Sequence, residues 1–211
     1  MRTWVLGVCA ALAACSDGAT RVELTEQVAL GQIGYAGPVL ARAANDFRGD
    51  TGFGGIGAGA EVASTGGMAG SVAVAVRRDI PVGRMTLRTR AYLEHGEGRT
   101  SLPQGIGVLT DPMQVGLWAD GLGAEVSLGR GLTLASGGRI DYALGLGLAH
   151  VAARVHLQSA LIDRSSHVVL TLPYLLMSGR HAAPAWPAIA GEVRVYELGQ
   201  AELRLGLVQE F

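Results

Sequence analysis

The chain has 211 residues, of which 49% are hydrophobic, 32 are glycine and 17% are charged, for a formal net charge of -1. So even a balance leaves no electrostatic footprint for nucleic acid or an anionic membrane surface. Glycine at about twice its usual frequency sets the chain apart from an ordinary soluble domain, and the length suits one domain or one barrel.

The chain opens with Arg2 as a short positive region and "TWVLGVCAALAA" as an apolar run of signal-peptide length, so residues 1–19 read as an export signal and residues 20–211 as the mature domain. The run stops at Leu12-Ala13-Ala14-Cys15, which resembles the lipobox at which bacterial lipoprotein signals are cut. Lipidation of Cys15 and ordinary cleavage after Ala14 or Ala19 are both open. Under the lipoprotein reading, Ser16 stands where an aspartate would imply inner-membrane retention, which implies the outer membrane. Both cysteines, Cys9 and Cys15, fall in this segment, so the mature part has no disulfide and no thiolate metal site.

Beyond the signal no stretch reaches the roughly 18 uncharged apolar residues of a spanning helix. A period of two recurs instead, the mark of strands with unlike faces. "RVELTEQVAL" sets Val22, Leu24, Val28 and Leu30 against Glu23, Thr25, Gln27 and Ala29, with Glu26 an exception on the apolar side. A Gly-rich connection from Ala36 to about Gly59 follows; its "GFGGIG" matches the dinucleotide fingerprint only formally, because no apolar strand precedes it and no helix follows. "SVAVAVRR" alternates next, then the tight turn Ile80–Gly83. In "RMTLRTRAYLEH", Met85, Leu87, Ala91 and Leu93 share a face opposite Arg84, Thr86, Arg88, Arg90, Tyr92 and Glu94.

A polar loop is expected over Gly96–Asp111, a turn at "DGLG" (Asp120–Gly123), a strand through Val126 to Leu134, and a turn at "SGG" (Ser136–Gly138). From Arg139 to about Leu161 a long strand places Tyr142, Leu144, Leu146 and Leu148 opposite Ala143, Gly145, Gly147 and Ala149, then changes phase near Ala149–Val151, as a β-bulge would make it. "DRSS" reads as a turn, His167–Met177 as a strand, "GRHAAPAWPAIA" as a long loop, and Gly191–Phe211 as one strand whose alternation lapses at Glu197 and Gly199. The total is eight strands. Longer connections, with "SGG" the short exception, fall on one side and the turns Ile80–Gly83, "DGLG" and "DRSS" on the other, as in a barrel whose termini share the periplasmic side.

Alternation by itself does not say which face is inside. The mature chain resembles the small eight-stranded, porin-like outer-membrane β-barrels of Gram-negative bacteria. That resemblance implies an all-β, closed, antiparallel up-and-down transmembrane barrel in the cell outer membrane, surrounded by outer-membrane lipid. Its most specific element is the terminal strand ending in Phe211, similar to the aromatic signature read by the barrel-assembly machinery; Phe211 is thereby implied as an assembly signal, although Gln209 stands where the signature favours a bulky residue. Tyr35, Tyr92, Trp118, Tyr142, Tyr174 and Tyr196 are the candidates for aromatic girdles.

If the apolar faces meet lipid, Arg77, Arg84, Arg88, Arg90, Glu94, Glu125, Asp141, Glu202 and Arg204 point inward, as a mutually paired network filling a lumen only just wide enough for side chains. A structural, surface-contact or narrow-channel role without enzymatic activity follows, with no catalytic residues, no metal and no cofactor. Two alternatives stand beside it. One is a lipid-anchored soluble periplasmic β-barrel that binds a hydrophobic ligand. The other is an outer-membrane lipid hydrolase built on His95, beside Glu94 and Glu97, with Ser101 nearby in sequence. Ser166 and His167 are adjacent on a strand and so point to opposite faces; His150 and His156 have no partner evident from sequence.

Overall fold

The computed structural model describes residues 19–29, 39, 42–44, 46–48, 68–182, 187–196 and 201–210. Residues 1–18 of the expected export signal, Cys15 among them, Tyr35, the "GFGGIG" motif and Phe211 lie outside them, whereas Ala19, expected as the signal's last residue, opens the first strand.

Eight antiparallel strands form one up-and-down sheet: β1 (Ala19–Ala29), β2 (Met68–Val82), β3 (Met85–Leu102), β4 (Met113–Thr133), β5 (Arg139–Gln158), β6 (Asp163–Ala182), β7 (Ala188–Tyr196) and β8 (Ala201–Glu210). Each pairs with its neighbour in sequence. β1 pairs in addition with β8, from Glu23 opposite Glu210 to Ala29 opposite Arg204, so the order of pairings returns to its start.

The strand number matches the sequence reading, but the boundaries differ. Residues 96–102, expected in a polar loop, continue β3; the turn expected at Ile80–Gly83 narrows to Gly83–Arg84, since residues 80–82 belong to β2; and the expected loop over 179–190 is shorter, β6 reaching Ala182 and β7 starting at Ala188. "DGLG" is no turn: Asp120–Gly123 lies inside β4, paired without a break to β3 and β5. Gly191–Phe211 is divided, β7 ending at Tyr196 and β8 starting at Ala201, where the alternation lapses. "DRSS" opens β6, and the turn before it is residues 159–162, held by a 2.7 Å hydrogen bond from the Ser159 amide to the Ile162 carbonyl. Finally, β5 carries no bulge, since its pairing to β4 and β6 is one-to-one from Arg139 to Gln158.

These corrections reverse three expected sides, those of "SGG", the β5–β6 turn and the β6–β7 connection. In an up-and-down sheet the connections alternate between ends, so residues 134–138 and the β6–β7 connection share the lower end with the Gly83–Arg84 turn. The β1–β2 connection, the β3–β4 loop, residues 159–162 and the β7–β8 connection share the upper end.

The strands divide lengthwise into two zones with opposite burial. In the lower zone charged side chains are inside and large apolar ones outside: Arg194, Arg204 and Glu202 are 1–2% exposed, whereas Leu144 and Leu146 are 68% and 63% exposed. The outward residues form a belt in register, with Leu24, Val74, Leu93 and Leu122 side by side across β1 to β4 and Leu128, Leu144 and Met177 across β4 to β6. In the upper zone the arrangement is the ordinary one. Along β5, Val151, Ala153, Val155 and Leu157 are buried, while Ala152, Arg154 and Gln158 are exposed. They pack with Met113, Val115 and Leu117 of β4 and with Val39, Ala43, Ala44 and Phe47, whose spacing is one helical face and which reach the core from the β1–β2 connection. Ser166 donates a hydrogen bond to Asp46, tying that segment to β6. What reads in sequence as a phase change in β5 is this exchange of environments along a regular strand.

Candidate functional site: a charged network on the inner face

The inner face of the lower zone gathers charges from every strand except β5, whose inner positions at 143, 145, 147 and 149 are alanine and glycine, because alternation sends each second side chain to that face. Among the described residues, six arginines (Arg77, Arg88, Arg90, Arg180, Arg194 and Arg204) meet six carboxylates (Glu23, Asp79, Glu94, Glu125, Glu192 and Glu202). Arg194 of β7 is the hub. It pairs with Glu192 on its own strand, lies 3.0 Å from Glu125 of β4 and 3.7 Å from Glu94 of β3. Arg204 reaches Glu94 at 2.6 Å and Glu202 at 3.0 Å, while Arg90 bridges Glu125 at 3.2 Å and Glu23 at 3.3 Å. Lower down, Arg77 pairs with Glu23 and Arg88 donates to Asp79 at 3.0 Å. Equal numbers of opposite charges leave the group neutral, the condition under which buried ions persist.

Three tyrosines complete the network. Tyr174 donates to Glu125 at 2.6 Å and lies 3.0 Å, hydroxyl to hydroxyl, from Tyr92; Tyr196 donates to Glu202 at 3.0 Å. The Arg194 guanidinium stands 4.8 Å from the Tyr174 ring centre and 5.1 Å from that of Tyr92, within cation–π range. Room for these rings comes from glycine: Tyr92 is directly opposite Gly123 and Tyr174 directly opposite Gly147, and a Cβ at either glycine would collide with the ring.

Of the residues expected inward, Arg77, Arg88, Arg90, Glu94, Glu125, Glu202 and Arg204 belong to this network. Asp141 is half-buried and pairs with Arg139 at 2.9 Å near the lower end. Arg84 does not join them: it sits exposed in the turn between β2 and β3, because that turn ends the alternation one residue earlier than the polar run suggests. Tyr92, Tyr174 and Tyr196 are 2–4% exposed and form no girdle; their hydroxyls find buried acceptors instead. Tyr142 does face outward, 48% exposed, and Trp118 lies partly exposed on the outer face. Reading the sequence missed Glu192 and Arg194, since the Val193 and Val195 alternation drew attention to the opposite face. It also left out Glu23, Asp79 and Arg180.

Two small cavities border the network. One of about 70 Å³ is bounded by Glu23, Arg77, Arg90, Arg180 and Glu192 among others, room for a few waters, and one of about 10 Å³ lies between Tyr92, Glu94, Arg194 and Tyr196.

On the outer face His95 follows Leu93, where the belt gives way to polar residues. Its Nδ1 lies 2.8 Å from Asp120 and its Nε2 3.6 Å from Glu97. The hydrogen bond to Asp120 is the main cause that raises the imidazole above its ordinary pKa, against a slight opposing effect of burial. The hydrolase arrangement on His95 does not form, because Glu94 faces inward and Ser101 stands three outward positions further along β3, paired with Gln114. His150 accepts or donates to Thr171 at 2.9 Å, and His156 approaches Ser165 at 2.9 Å, partners that only the β5–β6 register provides. Among the described residues no His, Cys, Asp and Glu group has metal-binding geometry.

No family model matches the chain, and no curated protein matches it either.

Proposed function

We propose that the chain is an integral outer-membrane protein, a closed β-barrel whose lower zone crosses the bilayer and whose upper zone projects beyond it, with a role in envelope structure or surface contact. The observation that carries this reading is the reversed burial of the lower zone. In water, a surface ringed by leucines around a core of arginines would be costly twice over, in exposed apolar area and in desolvated charge. Against lipid the same arrangement is favourable outside and self-compensated inside.

Dimensions support the reading. The outward apolar run on β5 extends from Ile140 to Leu148, close to the 9–11 residues that a tilted strand needs to cross a bilayer; that on β4 extends from Leu122 to Leu128 and is interrupted by the exposed Arg130 before Leu132. β4, β5 and β6 are 21, 20 and 20 residues long, about twice that need. Their upper halves carry polar residues outside and an apolar core inside, which suits water. That core lies above the charged network, so a solute path has an ion-paired plug below and a dry plug above. The tethered soluble alternative is disfavoured, because it needs the leucine belt covered and no described element covers it. Phe211 as assembly signal, Cys15 as lipidation site and the barrel-assembly machinery as partner belong to the same proposal.

Fractionation tests it. Full-length protein and a Cys15→Ala variant should both stay in the membrane pellet after an alkaline carbonate wash and run faster on a gel before boiling than after. Release of the Cys15→Ala protein into the soluble fraction, with no heat-modifiable band, overturns the barrel reading and leaves the tethered domain.

A further inference from the structure

The β5–β6 ladder places His156 directly across from Ser165 on the outer face of the upper zone, with Asp163 at the next outward position of β6. His156 Nδ1 is 2.9 Å from the Ser165 hydroxyl and its Nε2 is 3.6 Å from Asp163. Arg154 donates to the same hydroxyl at 3.4 Å. We propose that Ser165, His156 and Asp163 are a nucleophile, general base and orienting carboxylate for acyl transfer from a carboxylic ester at this face.

Each group has the position its part requires. A carboxylate on the Nε2 side favours the tautomer with its proton there, which leaves Nδ1 as acceptor of the Ser165 O–H. Attack then runs from Oγ on the ester carbonyl carbon as the hydroxyl proton passes to Nδ1. The tetrahedral oxyanion forms within reach of the Arg154 guanidinium. Collapse breaks the acyl C–O bond; the leaving alkoxide takes the proton from His156, and water, deprotonated by the same nitrogen, releases the acyl group and restores Ser165.

A second feature of the fold serves the same place. Gly116 is directly across from His156 on the other side, and the Trp118 indole folds over it, so that a Cβ at 116 would lie 2.7 Å from the ring. The indole centre is then 6.4 Å from the imidazole centre. It screens one side of His156 from water and offers an apolar wall for an acyl chain, while Ser165 stays exposed on the other side. A hydrogen bond between two exposed side chains adds little to stability on its own. Four groups converging beside an aromatic wall are what covalent catalysis requires. The inference holds whether or not the belt meets lipid, since the site is remote from it.

A fluorophosphonate probe and p-nitrophenyl butyrate read it out on the full chain refolded in detergent. Wild type should be labelled at a single site and hydrolyse the ester. Ser165→Ala should lose both. Ser166→Ala, which alters the inward neighbour, should keep both. His156→Gln should slow labelling by about 100-fold or more, the scale of a lost general base. Heat-modifiability of each variant certifies folding. Absence of label on folded wild type, or equal labelling of folded Ser165→Ala, overturns the proposal.

Discussion

Tyr174 stands directly across the β5–β6 ladder from Gly147, and its ring occupies the space that any side chain at 147 would need. The same ring stands under Arg194, and its hydroxyl holds Glu125. Adding a Cβ at 147 therefore pushes on an aromatic that cannot yield without loosening two charged partners. Gly147→Val should destabilise by about 1–3 kcal/mol or more, the usual cost of overpacking a fitted interior. Gly179→Ala, where a Cβ meets nothing within 4 Å, should be neutral. Urea unfolding followed by tryptophan emission compares them.

Arg194 neutralises carboxylates that would otherwise be buried and unpaired, so its removal should cost far more than its net contribution to the native state. Arg194→Met is expected to destabilise by about 3–5 kcal/mol. A double variant, Arg194→Met with Glu125→Gln, should recover part of that loss, since the second change removes one stranded charge. A strictly additive double variant would show that the two side chains are not coupled.

How much of this was readable in the residues differs by zone. The leucines at 144, 146 and 148 against glycine and alanine identify both faces of lower β5, and the Arg and Glu alternation of β3 identifies the inner face it shares. The tyrosines mislead, because an aromatic with a polar tip suits a membrane interface and a buried network equally well. Gly121 and Gly123 mislead for a related reason: glycine marks a turn in sequence, yet Gly123 is small because Tyr92, distant in sequence, lies over it. The apolar core of the upper zone was unreadable as such, since the same alternation carries opposite meaning once the surroundings change.

The two-zone reading makes a matched prediction. Leu146→Arg, in the middle of the belt, should lower the inserted fraction, with a cost of about 2–4 kcal/mol for a charge on a lipid-facing site. Ala152→Arg, outward on the same strand but above the belt, should insert like wild type. Both positions are exposed, so water would accept either change; only a lipid boundary between them separates the two. Equal yields in cells would remove that boundary.

His95 offers a pH-dependent test above the belt. Its raised pKa means that the protonated form is favoured in the folded state. The resulting stabilisation is complete below the unfolded imidazole pKa, about 6.5, and is lost as pH rises through the folded value. With 57% of its side chain exposed, the pair with Asp120 is screened, so the effect on stability should stay under about 1 kcal/mol. Asp120→Asn should bring the His95 titration, followed by proton NMR of the ring, down toward the ordinary value. No downward movement would mean that Asp120 is not the cause.

Strand parity assigns each connection to an end, and accessibility on intact cells checks the assignment. Protease sites placed in the β3–β4 loop near Val108 or in the turn at Leu161 should be cut from outside, because both belong to the upper end and both residues are over 70% exposed. Sites at Gly83–Arg84, or in the connection between Ala182 and Ala188, should be cut only after the membrane is opened. The last of these is the discriminating one. Its Pro- and Ala-rich composition suggests a surface loop, yet β6 and β7 are strands of opposite direction joined at the lower end, on the side of the β2–β3 turn. Cleavage there on intact cells, with Gly83–Arg84 protected, would break the alternation of ends and with it the up-and-down arrangement from β6 onward.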